Sequence, residues 1–304
     1  MMIVYSLIDD EVAEPERRRS LFAGDLFVYS PRASTRAIAS ATQEVLEELL
    51  GPDAIWAQQR MGEDEFTERF MAAAAELSHV LPEVASALVT DFGSDADTTY
   101  VGTPSLAAAT GMGFIAHGLG ARLHPHRDTW YAAPRCQLNW WIPLYDLDAG
   151  ASLAFHPLHW GMPVHNTSSE FDYDKWSEAI PFGEDPISSD PLAQPRALDP
   201  IDLTPEVRIS CPAGGVIVSS AAQLWSGSPN EALKTNFSLH FTSVSETDLL
   251  SGNGPANLDA DPRGTSLSRF VRCSDLAPLP RELAQRELQR REAGSAVRRR
   301  GRHA

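Results

Sequence analysis

The sequence predicts a mainly β domain, two antiparallel sheets folded as a sandwich or barrel, with helices flanking it at both ends. Three observations lead there. From about Thr99 onward, short runs rich in β-branched and aromatic residues recur between Gly and Pro residues. Before that point the apolar residues repeat at three- to four-residue spacing, as on a helix. The chain then ends in a stretch with Glu282–Arg286 and Glu287–Arg291 pairs four residues apart, which support a final helix.

Taken in order, Ile38, Ala41, Val45 and Leu49 form the first helical stripe, and Gly51-Pro52 stops it. Phe66, Phe70, Ala74 and Leu77 form a second, with Pro82 interrupting or restarting it. The strand-like runs are 112–117, 137–142, 152–155, 207–210, 216–220 and 236–244. A stretch rich in Pro, Ser and Asp, 166–205, reads as a long loop, of the kind that serves as a lid or binding loop. The final helix is expected over 280–293, with Gly294 as its stop. The organisation that follows is a helical layer over 1–98, a β domain over 99–275, and a C-terminal helix with a basic tail over 276–304.

Composition narrows the function classes. The chain has 304 residues and a formal charge of −16. Eight Arg against three Glu in 281–304 leave −21 on the remainder. A body that acidic repels a phosphate backbone, so nucleic acid is excluded as a partner of the folded domain. Arg298, Arg299, Arg300 and Arg302 read as a solvated end. No apolar run approaches the roughly 18–20 residues that span a bilayer, so no membrane partner is expected. Three cysteines without CxxC spacing argue against a disulfide framework or a structural zinc, and a cytoplasmic setting is expected.

Chemistry concentrates at HPHRDTWY, 124–131. His126 and Asp128, two apart, share a face if the segment is extended. Such a pair serves as two legs of a facial triad for non-haem Fe(II) if a second His arrives from elsewhere. A hydrogen-bonded structural pair is the other reading. Along 137–142, alternation puts Leu138, Trp140 and Ile142 toward the core and Gln137, Asn139 and Trp141 on the opposite face. That second face either lines a ligand cavity or satisfies buried backbone.

The segments HPHRDTWYAAPRCQLNWWIPLY (124–145), LAFHPLHWGMPVHNTSSEFDYDKW (153–176), PAGGVIVSSAAQLWSGSPN (212–230) and TNFSLHFTSV (235–244) resemble the phytanoyl-CoA dioxygenase-like family. That family belongs to the Fe(II)/2-oxoglutarate oxygenase superfamily, and the resemblance runs from about Leu21 to about Phe270. It implies a double-stranded β-helix, or jelly roll, with the site in its mouth, and Fe(II) and 2-oxoglutarate as cofactors. The family's HxD falls on His126 and Asp128. Its distal metal-binding His falls on Trp225, and the Arg that anchors 2-oxoglutarate falls on Asn236; a further Arg falls on Thr242. An indole is a donor and cannot ligate iron. An amide does not replace a guanidinium fork.

Candidate compensations are Lys234 and His240, which share the parity of Asn236 on a regular strand. His156, His159 and His165 read as hydrogen-bonded or surface residues, and Arg122 as an anion contact or a solvated side chain. The candidate site is therefore His126, Asp128 and His240 as catalytic residues, the first two as a residual metal pair. Lys234, Asn236 and Gln137 lie on the cofactor side, and Trp130, Tyr131, Asn139, Trp141 and Trp225 on the substrate side. The reading that follows is a dioxygenase-derived enzyme of specialised metabolism, repurposed toward a non-oxidative or atypical step on a small molecule. The alternatives are an oxygenase with compensating ligands, and a non-catalytic subunit partnering an oxygenase paralogue; a homodimer or heterodimer is admitted.

Overall fold

The computed structural model describes residues 6–111, 114, 124–147, 152–178, 194–227, 230 and 232–301. Two sheets face one another, with helices on the outer side of the larger one. The chain enters through β1 (Ser6–Ile8), α1 (Glu14–Ala23) and β2 (Leu26–Tyr29), then builds the helices α2 (Ala33–Leu50), α3 (Glu63–Ser78) and α4 (Leu81–Asp91). There follow β3 (Thr99–Val101), β4 (Ser105–Ala109), β5 (Leu138–Pro143), β6 (Leu153–Phe155), α5 (Tyr173–Glu178), β7 (Val207–Arg208), β8 (Val216–Ser220), β9 (Trp225–Gly227) and β10 (Asn236–Ser245). The last elements are α6 (Glu246–Ser251), β11 (Val271–Arg272) and α7 (Arg281–Gly301).

The large sheet runs β1-β2-β8-β5-β10-β3-β11, with β4 also paired to β10, and the small one runs β7-β6-β9. All pairs are antiparallel except β1 with β2. The expected class, a jelly roll with flanking helices, is what forms, and its two sheets are not closed into a barrel. No helix among the described residues is long and apolar enough to cross a membrane.

Alternation sorts the large sheet into two faces. Phe27, Trp140, Val218, Phe237 and Phe241 face outward and share one core with Leu46, Phe66, Phe70 and Leu88 of the helices. Leu26, Val28, Trp141 and Ile217 face inward and pack with Phe155 and Trp225 of the small sheet. The inner cluster fixes the two sheets face to face.

Several elements differ from the sequence expectation. The first hundred residues are not helical throughout, because β1 and β2 add two strands to the large sheet. Every residue of β2 is buried; a strand covered on both faces has no alternation to read. The buried face of α2 is Thr35, Ala39, Thr42, Leu46 and Leu50, with Ile38, Val45 and Leu49 at its margin. Two small hydroxyl residues on the core side shift the apparent stripe by one position. The run 207–210 is a strand over two residues only. Helix α7 continues through Gly294 to Gly301; one glycine costs a helix about 1 kcal/mol relative to Ala, too little to end it. The run 112–117, apart from Phe114, lies outside the described residues, as do the middle of 166–205 and Arg122 and Arg302.

The junction of α1 and β2 needs a glycine. Gly24 adopts φ +108, caps the helix, and lies where a Cβ would stand 2.8 Å from the Trp160 ring. Trp140 anchors the sheet to its helices. It is 1% exposed, stacks with Phe241 at 5.7 Å, meets Phe92 at 5.6 Å, and donates its indole N–H to Ser243 Oγ at 2.9 Å. Trp140→Ala should lower the unfolding free energy by about 3–5 kcal/mol. Urea denaturation would read this as a lower midpoint at an unchanged m-value.

Candidate active site

The site is organised by one antiparallel bridge. His126 N–H donates to Trp225 O at 2.9 Å and Trp225 N–H donates to His126 O at 3.0 Å. This pair attaches the motif segment to β9 and so to the edge of the small sheet. Directly opposed side chains on such a pair lie close, and the His126 and Trp225 rings are 4.5 Å apart. Asp128 then opens a short 3-10 turn, Asp128–Tyr131, that carries its carboxylate back over the pair. His126 Nε2 stands 3.6 Å from Asp128 Oδ1.

The Asp128 carboxylate is held from two sides. Trp225 Nε1–H donates to Oδ1 at 3.0 Å, and Asn139 Nδ2–H donates to Oδ2. Gln137 Nε2–H donates in turn to Asn139 Oδ1 at 3.0 Å, so a relay of amides on β5 and the residue just before it orients the acid. His126 Nδ1 bonds the His124 carbonyl at 3.0 Å, and the Tyr131 ring meets His126 edge-on at 5.3 Å. Asp128 keeps 18% of its side chain exposed, whereas His126 keeps none. The carboxylate is thus the exposed member of the pair.

Arg127, between them, points the other way and is buried. Its Nε–H donates to Asp259 Oδ2 at 3.1 Å, and its terminal nitrogens donate to the carbonyls of Ala222, His159 and Met162. Burial pulls its pKa below the usual guanidinium value, and Asp259 opposes that shift. Trp130 donates to the other oxygen of Asp259 at 2.8 Å and is fully buried with Val164, Leu224 and Ala260. This is a correction to the placement of Trp130 on the substrate side: its ring is fully buried against Val164, Leu224 and Ala260 and its N–H is taken by Asp259, so it braces the motif from behind.

The remaining candidates fall on the facing strand. Phe237, Leu239 and Phe241 of β10 enter the helix-side core, so Asn236, Ser238, His240 and Thr242 point between the sheets. Thr242 lies opposite Asn139, and His240 opposite Trp141, two residues further along. The His240 ring meets Trp141 edge-on at 5.9 Å and its Nε2 lies 2.9 Å from Ser238 Oγ. Asn236 pairs in register with Ala109 of β4. Lys234 precedes the strand in a bend, so the parity argument does not reach its side chain.

The other histidines have different duties. His156 Nδ1–H donates to Leu203 O at 3.2 Å while Nε2 accepts from Ser226 Oγ at 3.0 Å. His159 donates to Asp202 O at 2.7 Å, and His165 pairs with Asp199 at the surface. Among the described residues no group of three or more His, Cys, Asp or Glu is placed to hold a metal ion. Sequence reading did not single out Asp259 or Ser238. Ser238 was accessible from its parity with Asn236 and His240, whereas Asp259 sits in a loop without a signature.

No family model and no curated relative matches the sequence. Among solved structures, EvdO2 from Micromonospora carbonacea var. aurantiaca complexed with 2-oxoglutarate is similar with a TM-score of 0.44 and 13% identity, over 78% of this chain and 94% of that one. Another EvdO2 structure aligns at a TM-score of 0.34 and 16% identity, over 53% of this chain and 58% of that one. The non-heme alpha ketoglutarate dependent epimerase SnoN from nogalamycin biosynthesis gives a TM-score of 0.38 and 16% identity, over 84% and 98%. These likenesses assign no residue a role.

Burial lowers the His156 pKa from 6.5, and the bond to the Leu203 carbonyl opposes that shift without cancelling it. Below that value the unfolded chain binds a proton that the folded chain refuses, so stability falls as the pH drops. His156→Gln should flatten this dependence below pH 6.5, measured as unfolding free energy against pH.

Proposed function

We propose that this chain is an enzyme on an oxygenase-type jelly roll that acts on a small molecule by proton transfer, without iron-dependent oxidation. The setting is specialised metabolism, and the reaction class is a cyclisation, elimination or isomerisation. Asp128 is the general base at the cavity wall, and His126 packs beside it within the wall. His240, half-buried on the facing strand, is the second acid–base group. Trp141, Trp225, Tyr131 and Asn139 shape the ligand space.

The carrying observation is the bond from Trp225 Nε1–H to Asp128 Oδ1. At the place where the family resemblance expects a third metal ligand, the chain presents a donor, and that donor engages the carboxylate that would otherwise ligate. His126, Asp128 and an indole do not make a donor set for Fe(II). Nor does Asn236 supply the charged fork that a distal carboxylate of 2-oxoglutarate needs. Neither group fits, and no step is routed through them.

Binding to the native state stabilises it in proportion to RT ln(1 + [L]/Kd). Fe(II) with 2-oxoglutarate should therefore leave the melting temperature of the purified protein unchanged. Trp225→His with Asn236→Arg should create Fe(II)-dependent 2-oxoglutarate binding, while each single change does little, because both sites serve one complex. Opening space at Trp225 should cost about 2–4 kcal/mol, so circular dichroism must first establish that the double variant folds. Stoichiometric iron in the wild-type protein would overturn the proposal. A folded double variant that takes up neither iron nor 2-oxoglutarate would show that more than these two positions separate this cavity from an oxygenase site.

A further inference from the structure

Behind the motif the chain encloses a cavity of about 140 Å³. Arg127 and Thr129 belong to its lining, whereas His126 and Asp128 do not, so it is separate from the candidate catalytic pair. Phe22 near the end of α1, Trp160 and Ala222 supply apolar wall, and the loop 255–259 completes it. A cavity of roughly 150 Å³ accommodates a benzene ring, so this space suits a body of about that size.

Charge says what such a body carries. The charged residues of the lining are Arg127, Arg135 and Asp259, two cations against one anion. Asp259 is already engaged: Arg127 Nε–H and the Val164 N–H donate to one oxygen, and the Trp130 indole donates to the other. Arg127 and Asp259 form a buried ion pair at 3.1 Å and offset each other. Arg135 is different. It is half-buried, and its terminal nitrogens donate to the carbonyls of Pro255 at 3.0 Å and Gly252 at 3.3 Å. Those neutral acceptors orient the guanidinium without cancelling its charge. Close by, Arg291 of α7 adds a cation and Glu287 an anion, while Asp248 is paired with Arg18 at 3.0 Å. One excess positive charge therefore stands at the cavity beside an aromatic wall. A carboxylate is the group that an oriented guanidinium takes best, through two parallel N–H bonds.

We infer that this cavity is an accessory binding site for a small aromatic carboxylate, benzoate in size, with Arg135 taking the carboxylate and Phe22 and Trp160 packing on the ring. The inference goes beyond the proposed reaction and does not depend on whether the site at His126 and Asp128 binds iron. Its occupant stands against Arg127, the cation that ties the motif to Ala222, His159 and Met162.

Benzoate and benzamide share a shape and differ in charge, and each is titrated into the full chain by calorimetry at fixed ionic strength. Benzoate should bind saturably and at least about tenfold more tightly than benzamide, the margin that one charge-assisted bond supplies. Arg135→Gln keeps a donor and removes the charge; it should weaken benzoate by about tenfold and bring it level with benzamide. Gly161→Leu fills space in the lining instead. A Cβ at Gly161 meets nothing within 4 Å, so this variant should fold, and it should abolish benzoate binding. Asp128→Asn should leave benzoate affinity unchanged. Circular dichroism establishes that each variant folds; should Arg135→Gln not fold, Gly161→Leu carries the test, and the comparison of the two probes on the wild-type chain needs no variant. The inference fails if benzamide binds as well as benzoate, or if neither saturates below about 10 mM. It fails equally if either folded variant, at Arg135 or at Gly161, binds benzoate with wild-type affinity. Loss of benzoate binding in Asp128→Asn would place the probe at the catalytic pair and overturn it too. Iron uptake by the wild-type chain would overturn the proposed function and leave this inference standing.

Discussion

The two backbone bonds between His126 and Trp225 set the geometry of everything around them. They pin the motif segment to β9 at one residue, and strand alternation does the rest: His126 and Asp128 turn inward, Arg127 outward. The inward pair becomes the cavity wall. The outward guanidinium is buried and needs acceptors, which it finds on Ala222, on His159 and Met162, and on Asp259. Three separate chain segments are thereby drawn to the back of the site by one cation. Asp259 also accepts the Trp130 indole and the Val164 amide, so the same carboxylate closes the framework that the bridge begins. Removing it would strand a buried positive charge, which proteins tolerate poorly.

A tryptophan at 225 changes the logic of the wall. A ligating histidine would have offered a lone pair, leaving Asp128 to share a cation with it. The indole offers a proton, and the carboxylate takes it, together with a second from Asn139. Asp128 is thereby oriented from both sides by neutral donors, with His126 packed behind it. That arrangement keeps a carboxylate at a cavity edge in fixed geometry, and it satisfies the acid without any ion.

The fold was legible wherever a strand had one buried face of larger side chains. Trp140 and Ile142 against Asn139 and Trp141, and Phe237 and Phe241 against Asn236 and His240, gave both the strands and their orientation. Three kinds of strand were not. Strand β2 is buried on both faces; β4 is mostly alanine and serine, with little β preference to read; β9 and β11 are two or three residues long. The stripe on α2 was misread because Thr35 and Thr42 are buried. At the site, alternation put Asn139 and Trp141 on one face of the strand, and spacing set His126 and Asp128 two residues apart. The bond from Trp225 to Asp128 was not legible, because it depends on which way an indole turns across a bridge, and no pattern of letters carries that.

The separation of faces on β5 and β10 has a consequence for how such a cavity changes its chemistry. The outward residues carry the load: they join the helices in a single apolar core, where volume changes are costly. The inward residues of the same strands include polar groups (Asn139, Asn236, Ser238, His240) beside a smaller apolar cluster, and an exchange of one such polar group for another leaves the helix-side core and the pairing of backbone groups in place. Positions 225 and 236 lie on that side, one on each sheet. The strand that bears each keeps its register through backbone pairing, His126 against Trp225 and Asn236 against Ala109. Fold and site are thus set by alternate residues of the same strands, which lets the architecture persist while the residues that decide its chemistry differ.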